Sequence, residues 1–300
     1  MSTHTHSPEE DPNPHNPPSD LIKRGSYSLN TPGTATFIGL RTLDPLLQYS
    51  LLAHGTGSTL LTHLGLTSLP LHAHPPWDYL SYATLPKDSA HILTTLETVS
   101  PSDLPVSRLI LLAMATGSTL KQVYWLLFVS REDFPPASAA IVSVYNTILN
   151  TVASLCLLNP TSSSALATPR VPVPFRSDIT LSLPTAVGIV LYVVGMALET
   201  VSEVQRRDFK KDGKNKGKVM TTGLWKWARH VNYGGYTLWR TGYGLAAGGW
   251  ALGAAMAGWH AWTFVKRSIP ELRKYMVERY QGQWEAYERQ VKWQLLPGIY

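Results

Sequence analysis

Residues Met220 to Trp239 read MTTGLWKWARHVNYGGYTLW. A Gly-aromatic turn at Gly223 to Trp225, the pair Arg229-His230, the pair Asn232-Tyr233 and two adjacent glycines all fall within this one segment. It follows a strongly basic loop and leads into a long apolar run. Arginine gives the two-pronged grip that phosphate groups favour. His230 supplies a further donor to a phosphate oxygen or a ribose hydroxyl. The Asn232 amide carries both donor and acceptor atoms, as reading a carboxamide or ribose edge requires. A cationic, glycine-punctuated site at the rim of apolar helices points to a phosphate-bearing cofactor used on a lipophilic substrate.

The flanking sequence is apolar on both sides. Thr241 to Val265 carries no Asp, Glu, Lys or Arg and is rich in Gly, Ala and Trp. Leu181 to Leu198 (LSLPTAVGIVLYVVGMAL) is also uncharged. Ala137 to Leu158 is interrupted only by Ser, Thr, Asn and Tyr, and Val106 to Val129 by Arg108 and Lys121 among others. Each approaches the ~20 apolar residues that cross a bilayer. Thr34 to Leu52 and Gly57 to His72 are weaker candidates. The pattern predicts an all-α, polytopic transmembrane bundle of about five to seven spans. Buried helices of a soluble protein fit poorly, because such helices rarely lack charge over so long a run.

The mean hydropathy of -0.05 conceals this because the N-terminus is polar. Residues 1–36 are rich in Pro, Ser, Thr, His and Asn and are predicted to be a disordered tail. His4, His6 and His15 there read as solvated side chains, and no metal site is expected. Residues 37–180 then form N-terminal membrane helices on the substrate side, and residues 181–300 a cofactor-binding membrane domain. The N-terminus lacks the pattern of a signal peptide. The single cysteine, Cys156, excludes an intrachain disulfide.

The net charge of +6 does not indicate nucleic acid. The aromatics lie in apolar runs and are not interleaved with the basic loop, so the expected partners are a bilayer and a lipophilic small molecule. Between Ser202 and Asn232 stand nine Lys or Arg residues, which marks a cytosolic face. Lys266, Arg267, Arg273 and Lys274 are basic as well, and a single span between the two groups would separate them. Either the tail escapes the charge rule or the Tyr233 to Val265 region makes a hairpin broken at Gly248-Gly249, and the hairpin is the favoured reading. The spacings Gly244 to Gly248 and Gly249 to Gly253 suit close helix packing. After Val265, residues 268–300 read as a cytosolic helix with Ser268 as cap and Pro270 in its first turn, stopped by Pro297-Gly298.

Glu199, Glu203 and Arg207 recur at a spacing of four, on one helical face at the cytosolic end of the 181–198 run. Glu199-x3-Glu203-x-Gln205, Phe209-Lys210, Gly223-Leu224-Trp225, Arg229-His230-x-Asn232-Tyr233, Glu278-Arg279-Tyr280, Tyr287 and Leu296-Pro297-Gly298 together carry a resemblance. From about Leu191 to Tyr300 the chain resembles the steroid 5-alpha-reductase C-terminal-like membrane proteins of the DUF1295 type. The resemblance implies an endoplasmic-reticulum, multi-pass bundle that holds NADPH in a cavity open to the cytosol. The candidate cofactor contacts are then Glu199, Glu203, Arg207, Lys210, Arg229, His230, Asn232, Tyr233, Tyr236 and Tyr280. Tyr236 stands where the family's Arg-His-Pro-Asn-Tyr-x-Gly-Glu motif ends in an acid, and Val231 replaces its proline.

The leading expectation is therefore NADPH-dependent reduction of a conjugated C=C bond in a sterol, terpenoid or other enone. The tyrosine and glutamate that donate the proton in steroid reductases have no match here. Tyr124 and Tyr145 read as packing residues, so the catalytic groups stay unassigned. The alternative is an S-adenosylmethionine-dependent methyltransferase similar to the isoprenylcysteine carboxyl methyltransferases, which share an Arg-His-Pro-x-Tyr turn. A third reading is a non-catalytic member of the fold.

Overall fold

The computed structural model describes residues 30–71, 104–130, 132–174 and 176–300. Within them the chain is mostly helical. Helix α1 spans Thr31–Ala53, α2 Thr56–His63, α3 Val106–Tyr124, α4 Pro136–Leu158, α5 Leu183–Lys211, α6 Val231–Thr263, α7 Ile269–Tyr280 and α8 Gly282–Gln290. A π-helical turn, Trp125–Val129, prolongs α3. Strands β1 (Arg170–Val173) and β2 (Arg176–Ser182) pair antiparallel, with Arg170 opposite Ser182. This hairpin departs from the all-α expectation: Val171, Val173, Ile179 and Thr180 favour extended backbone.

Helix α1 begins inside the stretch read as tail. The Asn30 side chain accepts from Gly33 N at 2.9 Å and Pro32 occupies the first turn, two strong start signals. The remainder of the predicted tail, with His4, His6 and His15, lies outside the described residues. Helix α5 starts at a Ser182 cap and runs well past Leu198. Arg206, Arg207, Lys210 and Lys211 therefore stand on a helix and not in a loop. At 1.5 Å per residue, α5 is roughly 43 Å long and overshoots a hydrocarbon core.

Helix α6 is a hairpin of two arms, as the charge argument required. Gly248 and Gly249 leave helical geometry, and Gly249 adopts φ +63°, a conformation open to glycine at little cost. A Cβ at Gly253 would lie 2.5 Å from Leu245 Cγ, so the arms touch across the bend. Phe264 returns to stack on Tyr233, with ring centroids 4.5 Å apart. The basic residues after Thr263 thus sit at the same end of the bundle as Arg229.

The closest helix contact joins α5 to the first arm of α6. A Cβ at Gly195 would meet Trp239 N at 2.4 Å, and one at Gly242 would meet Gly188 O at 2.4 Å. Gly188, Gly195, Gly235 and Gly242 let the two backbones touch; the spacings singled out in the sequence serve the α6 hairpin instead. After the hairpin the chain enters α7 through a π-helical turn, so Ser268 is helical and caps nothing. Gln281, at φ +44°, breaks the expected single C-terminal helix into α7 and α8. The last residues fold back: Arg229 N donates to Trp293 O and His230 N to Gln294 O.

Beside a largely apolar core, some helices expose apolar side chains and bury polar ones. Ile141, Val144, Ile148 and Val152 on α4 point outward, as do Val190, Val193 and Val194 on α5. Arg41, Asp44, Gln48, Asn146, Asn150 and Arg240 are buried inside. By length and composition α4 and α5 can each cross a membrane.

Candidate functional site

The predicted residues gather where the end of α5 meets the start of α6. Glu203, 5% exposed, accepts from Asn232 Nδ2 at 2.7 Å and from Arg206 at 2.6 Å. One helical turn deeper, Glu199 accepts from Trp239 Nε1 at 2.7 Å and ion-pairs with Lys121 of α3. Both carboxylates keep unused acceptor positions. Gly223, at φ +62°, presses its turn against Gln205, whose Oε1 accepts from Leu224 N at 2.9 Å. Trp225 is anchored by donating to Ser202 O at 2.9 Å.

Arg207 is not part of this cluster. Its Nε donates to Asp208 at 2.8 Å and its Nη1 to Phe128 O at 3.1 Å, so the partner of Glu203 is Arg206. The spacing of four put Arg207 on the correct face in register, but Arg206, three residues on, has the reach that succeeds. Lys210 contacts the Tyr280 hydroxyl and lies over its ring at 4.6 Å.

Arg229 ion-pairs with Glu288 of α8 at 3.3 Å, while its buried Nε has no partner among the described residues. Arg273 also binds Glu288, at 2.8 and 2.9 Å, and these bonds hold its carboxyl below the usual range despite opposition from partial burial. His230 is 3% exposed and lies parallel to Tyr233, with centroids 5.6 Å apart. Burial, then the neighbouring Arg229 charge, lowers its pKa to about 3, so it is neutral at physiological pH. The neutral His230 ring packs against Tyr233 and Trp284 and carries no charge for a phosphate.

An aromatic ladder climbs from this rim into the bundle. His230, Tyr233, Phe264, Tyr236 and His260 follow one another with successive centroid separations of 5.6, 4.5, 5.7 and 5.3 Å. Tyr236, in the place of the family acid, accepts from Arg240 Nε at 3.3 Å. The rim residues therefore come together except for Arg207, with Lys210 and Tyr280 forming a separate pair at the edge.

Sequence reasoning missed Arg240. It is 1% exposed, stands over the Trp239 ring at 4.3 Å, donates to Asn150 at 2.9 Å and also binds Asn146. Asn150 in turn donates to Asp44 at 2.6 Å, and Asp44 pairs with Arg41 at 3.2 Å. A lone arginine at the edge of an apolar run was the available signal, since ionisable groups at such depth are costly unless used or paired.

Residues 142–291 match the family described as protein of unknown function (DUF1295). The chain is also similar to the probable O-methyltransferase ustE of Ustilaginoidea virens, with 31% identity over 261 residues, 87% of this chain and 84% of the relative. The family is related to steroid 5-alpha-reductase-like proteins, so the resemblance read from the motifs is borne out. With half its length matched and that relative aligned almost end to end, this chain belongs to the DUF1295 family.

Proposed function

We propose that the protein is a multi-pass membrane methyltransferase that moves a methyl group from S-adenosylmethionine to an oxygen of a lipophilic substrate. The observation that carries this reading is the similarity to a probable O-methyltransferase along most of both chains. It shifts the weight from NADPH reduction, the leading expectation from the motifs, to the methyl-transfer alternative.

The charge pattern at the rim supports the same choice. Arg229 is matched by Glu288, Arg206 by Glu203, Arg207 by Asp208 and Lys121 by Glu199. NADPH would bring several phosphate charges, and these four cations already have carboxylate partners. S-adenosylmethionine brings ribose hydroxyls, an adenine and a sulfonium cation, and asks for acceptors and ring faces instead. Spare acceptor positions on Glu199 and Glu203 suit the hydroxyls. The buried, unpartnered Arg229 Nε suits a carboxylate oxygen. The Tyr233, Phe264 and Tyr236 faces suit a cation, which aromatic quadrupoles attract.

In this reading Glu199, Glu203, Arg229, Asn232 and the Tyr233–Tyr236 ladder hold the cofactor. When bound, it supplies an electrophilic methyl group activated by the positive sulfur. The chain's own contribution is to fix orientation through paired carboxylates and to keep water from the ladder. Residues 181–300 supply the cofactor side and residues 37–180 the substrate side. Helices α1, α3, α4, α5 and both arms of α6 cross an endoplasmic-reticulum membrane, with the basic 202–232 segment cytosolic.

The test is calorimetric titration of the detergent-purified protein with S-adenosylmethionine and NADPH in parallel. Binding of S-adenosylmethionine, weakened at least tenfold by Asn232→Ala, is the expected result; tenfold corresponds to about 1.4 kcal/mol. A response to NADPH alone would return the assignment to the reductase.

A further inference from the structure

Tyr145 of α4 and His260 of the second α6 arm meet at the inner end of the aromatic ladder. His260 Nδ1 lies 2.7 Å from Met256 O, one helical turn back. A carbonyl only accepts, so Nδ1 carries the proton and Nε2 presents a lone pair. That lone pair lies 3.2 Å from the Tyr145 hydroxyl, which therefore donates to it. Trp259 Nε1 donates to the Tyr145 oxygen at 2.9 Å. The helix itself thus sets the tautomer, and Tyr145 stands between a base and whatever approaches its remaining lone pair. His260 is buried, Tyr145 is half-buried, and Val144, Ile148, Trp259 and Trp262 around them face outward. The pair is open toward the face that a bilayer would cover.

Resting on the methyl-transfer reading, we propose that Tyr145 and His260 form a proton-accepting relay for an aryl hydroxyl that enters from the lipid phase. The relay defines the acceptor class. A carboxylate is already ionised at neutral pH and needs no base, whereas a hydroxyl must lose its proton as it attacks. The acceptor proton passes to the Tyr145 oxygen while the Tyr145 proton passes to His260 Nε2. The acceptor oxygen uses the released electron pair to bond the methyl carbon. The methyl–sulfur pair stays on sulfur, which becomes a neutral thioether. Once the methylated product has left, the imidazolium returns its proton through Tyr145 to water that enters the vacated site. The aromatic side chains of Trp259, Tyr145 and Tyr236 around the relay favour a flat aryl acceptor. Arg240 bonds the hydroxyl of Tyr236, the ladder residue next to His260, so its positive charge favours prompt return of the proton from the imidazolium.

Tyr145→Phe and His260→Gln in the full-length protein, reconstituted in lipid nanodiscs, test the relay. Tritiated methyl transfer is measured to naphthols of graded acidity, ending with nitronaphthols already ionised at neutral pH. Both variants should lose on the order of 10²- to 10⁴-fold on the weakly acidic naphthols. The deficit should shrink below about tenfold on the ionised ones, because the step supplied by the relay is then unnecessary. An equal deficit along the series would mean a purely structural role and overturn the proposal. If His260→Gln does not fold, Tyr145→Phe, which removes one oxygen, decides the matter alone.

A readout independent of turnover is the nitrogen NMR spectrum of His260 without cofactor. Protonation at Nδ1 with Nε2 free is expected, and the opposite tautomer would overturn the relay. S-adenosylmethionine binding, measured separately, should be unchanged in both variants. Wild-type protein that binds S-adenosylmethionine but methylates none of the naphthols would overturn the acceptor class alone. Wild-type protein that fails to bind it would sink the methyl-transfer reading and the relay together.

Discussion

At the rim where α5 meets α6, charged groups answer one another over short reaches and keep contact with solvent: Arg206 with Glu203, Arg229 and Arg273 with Glu288. At the depth of Arg240 the arrangement is different. Arg41 pairs directly with Asp44 and also donates to Thr119, while Arg240 binds Asn146 and Asn150 and reaches the Asp44 carboxylate only through Asn150. Rim pairs can lose a partner to water, whereas a buried guanidinium has nowhere else to turn. The rim is therefore suited to exchanging internal partners for a ligand, and the interior to holding helices in register.

Breaking the interior should have the largest effect. Asp44→Ala leaves buried Arg41 without its carboxylate and Asn150, a partner of Arg240, without its acceptor; it should cost roughly 3–5 kcal/mol, read as a collapse of the unfolding temperature in detergent. Gly242→Val puts side-chain atoms where Gly188 O stands, at 2.4 Å from the first carbon alone. It should cost about 3 kcal/mol by the same measurement, and a thermally silent variant would refute the backbone contact between α5 and α6.

His230 connects the two regions, being at the rim yet buried. Its pKa falls from 6.5 in the unfolded chain to about 3 in the folded protein. The stability tied to its neutral form is complete above pH 6.5 and drains away as pH falls toward 3, with a slope approaching about 1.4 kcal/mol per pH unit. Unfolding measured between pH 7.5 and 4.5 should show that slope in the wild type, and His230→Gln should flatten it. Asn232→Ala removes one donor from Glu203 and should cost about 1–2 kcal/mol in stability, less than the interior variants, while weakening the cofactor. Arg273→Ala breaks a half-exposed ion pair and should change stability by under about 1 kcal/mol. A larger loss would mean that Arg273 positions Glu288 for Arg229.

Much of the rim was legible because its residues lie close together in the chain. Glu203 and Asn232 flank one basic segment, and the hairpin at Gly248-Gly249 followed from charge on both sides of an apolar run. The interior also left a trace. Arg41, Asp44 and Gln48 lie on one face of α1, and Ser143, Asn146, Asn150 and Ser154 on one face of α4. These polar stripes on apolar helices announce inward faces. They do not say which stripe meets which, because the partners lie about a hundred residues apart. Arg207 failed for a local reason: its guanidinium reaches Phe128 O on the neighbouring segment, and Arg206 takes the place assigned to it.

The sequence by itself determined the helical class, the apolar runs, the reversal at Gly248-Gly249 and the family, because each rests on the order of residues along one segment. Tertiary structure alone decided that Gly188, Gly195, Gly235 and Gly242 join α5 to α6, that Asn150 links Arg240 to Asp44, and that Tyr145 meets His260. Those pairings depend on which helix faces pack together. Packing is settled by shape and by the cost of leaving a buried polar group unmatched, summed over several helices at once.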